Sequence, residues 1–118
     1  MVASHDPQLL KGVLSVLLLH LLAEQESYGY EVVQRLQAAG LTDVLEGTVY
    51  PALARLEREG RVSARLVSSS SGPARKYYRP TPAGYAALAA GAASWTRHTT
   101  IVDAVLSRPL PTEPALPK

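Results

Sequence analysis

The sequence predicts a mainly α domain with one small β-hairpin and a long C-terminal helix, and three observations carry that prediction. Apolar residues recur at helical spacing in three stretches before residue 60, residues 62–67 alternate with a period of two, and a helical pattern runs from Pro82 to about Leu106. At 118 residues the chain makes one domain, small enough that a second copy would add useful stability. It contains no cysteine, which excludes a disulfide scaffold, a thiolate metal site and a cysteine nucleophile.

From Leu9, the positions Leu10, Val13, Leu14, Leu17, Leu18 and Leu21 predict a first helix reaching about Glu24, preceded by a flexible leader over residues 1–8. This helix is apolar all round and must be buried on more than one side, either between its own domain and a partner subunit or at the centre of a monomer's core. Its apolar stretch, residues 12–23, holds Ser15 and His20 and is shorter than the ~20 residues of a membrane span. The leader carries Asp6 and no basic cluster, so it does not read as a secretory signal, and the expectation is a cytoplasmic protein with no membrane partner.

Ser27 is a suitable N-cap for a second helix from Tyr28 to Ala38, with Val32, Val33 and Leu36 turned inward and Gly40 ending it. A third helix begins near Thr48, with Pro51 assigned to its first turn, a buried stripe of Val49, Leu53 and Leu56, and Gly60 as its stop. The strand from Val62, a polar tip over residues 68–73 and a returning strand over residues 75–79 form the hairpin. Thr81 caps the fourth helix and Pro82 occupies its first position. Residues 108–118, with four prolines after position 108, are expected to be a disordered tail. The domain organisation is therefore residues 9–81 as a winged helix-turn-helix unit and residues 82–107 as a C-terminal helix.

Charge gives this unit a direction. Residues 55–79 hold seven basic and two acidic residues, a net +5, whereas the remainder holds five basic and eight acidic residues, a net −3. Polarisation of that sign marks a polyanion-binding surface. The second and third helices have the lengths of a helix-turn-helix, which makes the third the recognition helix. Its N-terminal residues Gly47, Thr48, Val49 and Tyr50 are then candidates for base edges, and Arg55 and Arg58 for phosphate. Tyr28, at the start of the second helix, joins them, and Arg75 and Lys76 are presented by the hairpin to double-stranded DNA. Tyr50 could instead be partly core and Arg58 a solvated charge. Tyr77 and Tyr78 point to opposite faces of their strand and cannot form a single stacking platform.

In the fourth helix, Tyr85, Leu88, Ala92, Trp95, Thr99, Val102 and Leu106 are spaced alternately three and four apart. A seam sustained over three heptads predicts pairing with another helix, and a second copy of the chain is the natural partner, with Leu88, Val102 and Leu106 at the dimer interface. His5, His20 and His98 have no second ligand at metal-binding spacing, and no nucleophile with a base, phosphate-cradling glycine loop or carboxylate pair is present. The reading contains no catalytic residue, metal or cofactor.

The motifs GTVYPALARLEREG and GPARKYYRPTPAG, with KGVLSVLLLHLLAEQESYGYEV upstream, resemble the PadR family of winged helix-turn-helix transcriptional regulators over roughly Leu9 to Leu106. That resemblance implies a cavity at the dimer centre in which a Trp, here Trp95, stacks on flat aromatic or amphipathic compounds. By the same resemblance Leu9, Gly12, Ser15, Val16 and Leu19 line the cavity with Ala92, Trp95 and Thr99. Ala92 replaces a bulky aromatic and Thr99 an acidic residue found in some members, which implies a roomier cavity with less preference for cations. The expectation is a homodimeric repressor on a palindromic operator, released by a small aromatic or amphipathic effector. A winged-helix protein-interaction module and a DNA-binding regulator without a ligand are the alternatives, and Trp95 as a plain interface anchor is the simpler reading of that residue.

Overall fold

A computed structural model describes residues 6–112 as four helices and a three-stranded antiparallel sheet. The first helix, α1 (Pro7–Glu24), starts two residues before the expected position because the Asp6 side chain accepts hydrogen bonds from the Gln8 and Leu9 backbone N–H groups, at 2.9 and 3.4 Å. Asp6, Pro7 and Gln8 are thus the start of a helix and not part of a leader, while residues 1–5 lie outside the described residues. At 18 residues α1 is long and apolar enough to cross a membrane. Its Leu10, Leu14, Leu18, Leu19 and Leu22 are instead spent on the domain core, packed with side chains from α2, α3 and β2.

Ser27 is not the N-cap of α2 (Gly29–Ala38). It lies in a two-residue strand, β1 (Ser27–Tyr28), is fully buried, and accepts a 2.9 Å hydrogen bond from Arg35 Nη1 while donating to the Gln25 carbonyl at 3.1 Å. Tyr28 takes the cap position, with its N–H donating to Glu31 Oε1 at 3.3 Å. Gly40 ends α2 and Gly60 ends α3 (Glu46–Arg58), each with positive φ (125° and 73°). The following residue in each case, Leu41 or Arg61, donates back to the carbonyl of Leu36 or Leu56, closing the helix end in a Schellman motif. Because α3 starts at Glu46, Pro51 falls in its second turn and not its first. A proline there has no N–H for the Gly47 carbonyl, so the second turn lacks one ladder bond.

Strands β2 (Val62–Ser69) and β3 (Gly72–Pro80) form the wing, in register Val62↔Pro80 to Ser69↔Gly72 with a bulge between Val67 and Ser69. Strand β1 pairs on the other side of β3, Ser27↔Tyr78 and Tyr28↔Tyr77, tying the start of α2 to the wing. Helix α4 (Pro82–Leu106) is capped as expected, the Thr81 hydroxyl accepting from the Gly84 N–H at 3.1 Å and donating to the Gly60 carbonyl at 2.6 Å. The core comprises the leucines of α1 with Val32, Val33, Leu36, Val44, Val49, Ala52, Leu53, Leu56 and Val62. The first part of α4 packs on α1, where Gly91 lies against Val16, and of the seam residues before Trp95 Leu88 packs within the chain while Tyr85 and Ala92 are exposed. Leu88, expected at the dimer interface, is partly buried and packs against the chain's own core. Beyond Trp95, α4 leaves the domain, with Ile101, Val102, Val105 and Leu106 exposed.

Candidate nucleic-acid interface

Residues of α3 seven apart share a face, and the buried stripe Val49, Ala52, Leu53 and Leu56 fixes where the others point. Val49 is fully buried, as its place in the expected buried stripe requires, so its side chain belongs to the core and does not reach a base edge, which removes it from the base-edge candidates. Gly47, Thr48, Tyr50, Pro51, Arg55 and Arg58 are exposed. Tyr50 and Glu57 occupy the flank beside the wing, whereas Thr48 and Arg55 occupy the flank beside α1.

On the wing side, Tyr28, Gly29, Tyr30, Tyr50, Arg75, Lys76 and Tyr78 surround a cleft of about 220 Å³. Gly29 makes this possible, since a Cβ at that position would lie 2.7 Å from Tyr50 Cε1. Burial against these neighbours, with Glu46 nearby, raises the Tyr50 phenol above its ordinary pKa. The Arg75 guanidinium stacks 4.6 Å above the Tyr28 ring, which meets Tyr77 edge-on at 5.3 Å. Arg75 thus combines an aromatic support with a free charge. Lys76 differs, because Nζ donates to Glu57 Oε1 at 2.8 Å, and that bond holds its ammonium above the usual lysine range.

The basic segment therefore sorts into two groups. Arg65 is held by Glu26 through paired hydrogen bonds of 2.9 and 2.6 Å, and Arg61 pairs with Glu59 at 3.8 Å. Arg55, Arg58, Arg75 and Arg79 have no ion pair among the described residues and remain available to phosphate. Sequence reasoning missed Gly29 and Tyr30, although both stand in the Tyr28-Gly29-Tyr30 run at the head of α2.

A second concavity lies where α4 crosses α1. Gln8, Leu9, Gly12, Val13, Val16, Gly91, Ser94, Trp95 and His98 line a groove of about 410 Å³. Of the expected effector residues it gathers Leu9, Gly12, Val16 and Trp95, whereas Ser15, Ala92 and Thr99 lie outside its lining. Leu19 is 1% exposed and faces the core, which removes it from that set. Gly91 is the most informative residue that sequence reasoning passed over. It stands one turn before Trp95, and its missing side chain lets α4 approach Val16. Among the described residues no group of three or more His, Cys, Asp or Glu side chains gathers to hold a metal.

With this geometry in place, the comparisons with known proteins are specific. The sequence model of the "Transcriptional regulator PadR-like family" matches residues 18–90. An uncharacterized protein of Lysinibacillus sphaericus is 32% identical over 97 residues, covering 80% of this chain and 89% of that protein. A transcriptional regulator of Mycobacterium tuberculosis is 46% identical over 72 residues, 60% of this chain and 64% of its own length. Among solved structures, a PadR-like transcriptional regulator from Bacillus cereus superposes with a TM-score of 0.78 at 39% identity, covering 86% of this chain and 99% of that one. The chain belongs to the PadR-like family of transcriptional regulators, which are DNA-binding proteins and not enzymes.

Proposed function

We propose that the protein is a cytoplasmic, homodimeric repressor that reads a palindromic operator with two copies of α3 and is released by a small aromatic or amphipathic effector bound beside Trp95. One observation carries the regulatory part. Trp95 is 55% exposed at the edge of the groove between α1 and α4, on the same helix as the uncovered side chains Ile101, Val102, Val105 and Leu106. A large ring left in water is costly, and a second copy or a flat ligand would remove it from water.

The coupling follows from position. A ligand between Trp95 and Leu9 acts on α1, whose leucines pack directly against α3, so changing the α1–α4 angle moves the DNA-reading helix. The ligand releases the operator to the extent that it prefers the angle that misaligns the two copies of α3. Thr48 and Tyr50 serve base and phosphate recognition in this scheme, with Arg58 and Arg75 supplying backbone contacts and Tyr28 supporting Arg75.

A gel-shift on the DNA upstream of the protein's own gene, with and without a panel of aromatic compounds, tests this reading. The expected result is a discrete complex that these compounds dissolve, together with quenching of the single tryptophan. A complex that persists while the fluorescence stays silent across the panel supports the ligand-independent alternative.

A further inference from the structure

A cleft on the opposite flank of α3 from the wing is unaccounted for by this scheme. Pro7, Leu10, Lys11, Leu14, Thr48, Pro51, Ala52 and Arg55 enclose about 280 Å³ between the first turns of α1 and the length of α3. Its floor is core, since Leu10, Leu14 and Ala52 are buried, and its rim carries two cations and a hydroxyl. Lys11 and Arg55 are both exposed, and neither makes an ion pair among the described residues. Two like charges facing one cleft repel each other, and an anion between them would turn that repulsion into attraction.

We propose that Lys11 of α1 and Arg55 of α3 form a phosphate clamp for the DNA strand on the α1 side of the recognition helix, next to the base-reading Thr48. The proposal rests on α3 being that helix. A helix lying in a major groove about 12 Å wide runs between two sugar-phosphate backbones. The wing, with Arg75 and Lys76, stands on the Tyr50 and Glu57 flank of α3 and serves one backbone. Lys11 and Arg55 stand on the other flank and serve the second. Thr48 and Arg55 are seven residues apart, so they point the same way and share that strand. The clamp also engages α1, the helix on which the Trp95 groove is built, with Leu9 and Gly12 within two residues of Lys11 in sequence.

Phosphate contacts carry no sequence information, so a short random-sequence duplex is a sufficient probe. Binding is measured by fluorescence anisotropy of the labelled duplex against salt concentration for wild type, Lys11→Ala, Lys11→Arg, Arg75→Ala and Arg97→Ala. Removing one cation from the phosphate backbone lowers the slope of log K against log salt by about 0.9. The expected result is that Lys11→Ala loses about that much, Lys11→Arg keeps the wild-type slope, and Arg97→Ala, an exposed charge on α4, leaves it unchanged. If Arg75→Ala lowers the slope while Lys11→Ala does not, the clamp is refuted and the α3–wing interface stands. If neither lowers it, the interface itself is misplaced and the clamp falls with it. An equal loss in Lys11→Ala and Arg97→Ala would also overturn the proposal, by showing only a response to net charge.

Discussion

Gly29 is the residue on which the geometry of the wing-side cleft depends most directly. A methyl group there meets the Tyr50 ring at 2.7 Å, and the ring is the movable partner because Tyr50 is 45% exposed. Gly29→Ala is therefore expected to swing Tyr50 out of the cleft with little loss of stability. DNA affinity should fall roughly as far as in Tyr50→Ala, on the order of tenfold for removal of one charge-assisted hydrogen bond. Affinity measured for both variants and their double mutant checks this, and fully additive losses would mean that Gly29 does not act through Tyr50. Glu26 offers a second test, in pH. The hydrogen bonds from Arg65 hold its carboxylate below the ordinary glutamate pKa. A depressed folded pKa stabilises above the unfolded value, and that contribution fades as pH falls through the lower folded value. Wild type should thus melt above Glu26→Gln at neutral pH, with the gap closing in acid below about pH 4. The effect should be small and sensitive to salt because the pair is largely solvated.

At the scale of elements, two glycines set how α4 leaves the wing and crosses α1. A Cβ on Gly84 would overlap the Arg61 carbonyl oxygen, which is backbone and cannot yield, and the same carbonyl already accepts from the Thr81 N–H at 3.0 Å. Gly84→Ala should cost roughly 1–3 kcal/mol of stability as an overpacking change, and thermal unfolding will show it. A Cβ on Gly91 would meet Val16 Cγ2 at 2.5 Å. Gly91→Ala should push α4 away from α1, so the fluorescence of Trp95 should shift while the wing stays intact. The elements themselves were largely legible in the sequence, because Gly40, Gly60, Thr81 and Pro82 are strong local signals and the buried stripes of α2 and α3 follow the helical period. Ser27 is a good cap by type, yet pairing with the distant Tyr78 of β3 claimed it, and no local pattern reports a two-residue strand. Val49 stands in the predicted buried stripe as well as among the base-edge candidates, and burial decides for the stripe; Leu19 enters the effector set by family resemblance alone and is core. The Trp95 groove was legible only in part, since it depends on how closely two distant helices approach.

For the whole molecule, the uncovered end of α4 decides between a monomer and a dimer. Val102 is 49% exposed and Leu106 77%, and with Trp95 they continue the seam of which Leu88 alone packs against the chain's own core. If a second copy covers this stripe, placing charge in it should separate the copies without touching the core, because neither residue packs there. Val102→Asp with Leu106→Asp should therefore sediment as a monomer and keep the melting behaviour of a folded winged-helix unit. The same variant should bind a single half-site as wild type does. On a palindromic duplex it should lose on the order of 10²-fold or more, since the second α3 no longer arrives at high effective concentration. A variant that stays dimeric would place the interface elsewhere on the chain. A monomer that still binds the palindrome with wild-type affinity would mean that one copy of α3, its wing and the Lys11 flank supply the recognition without a partner.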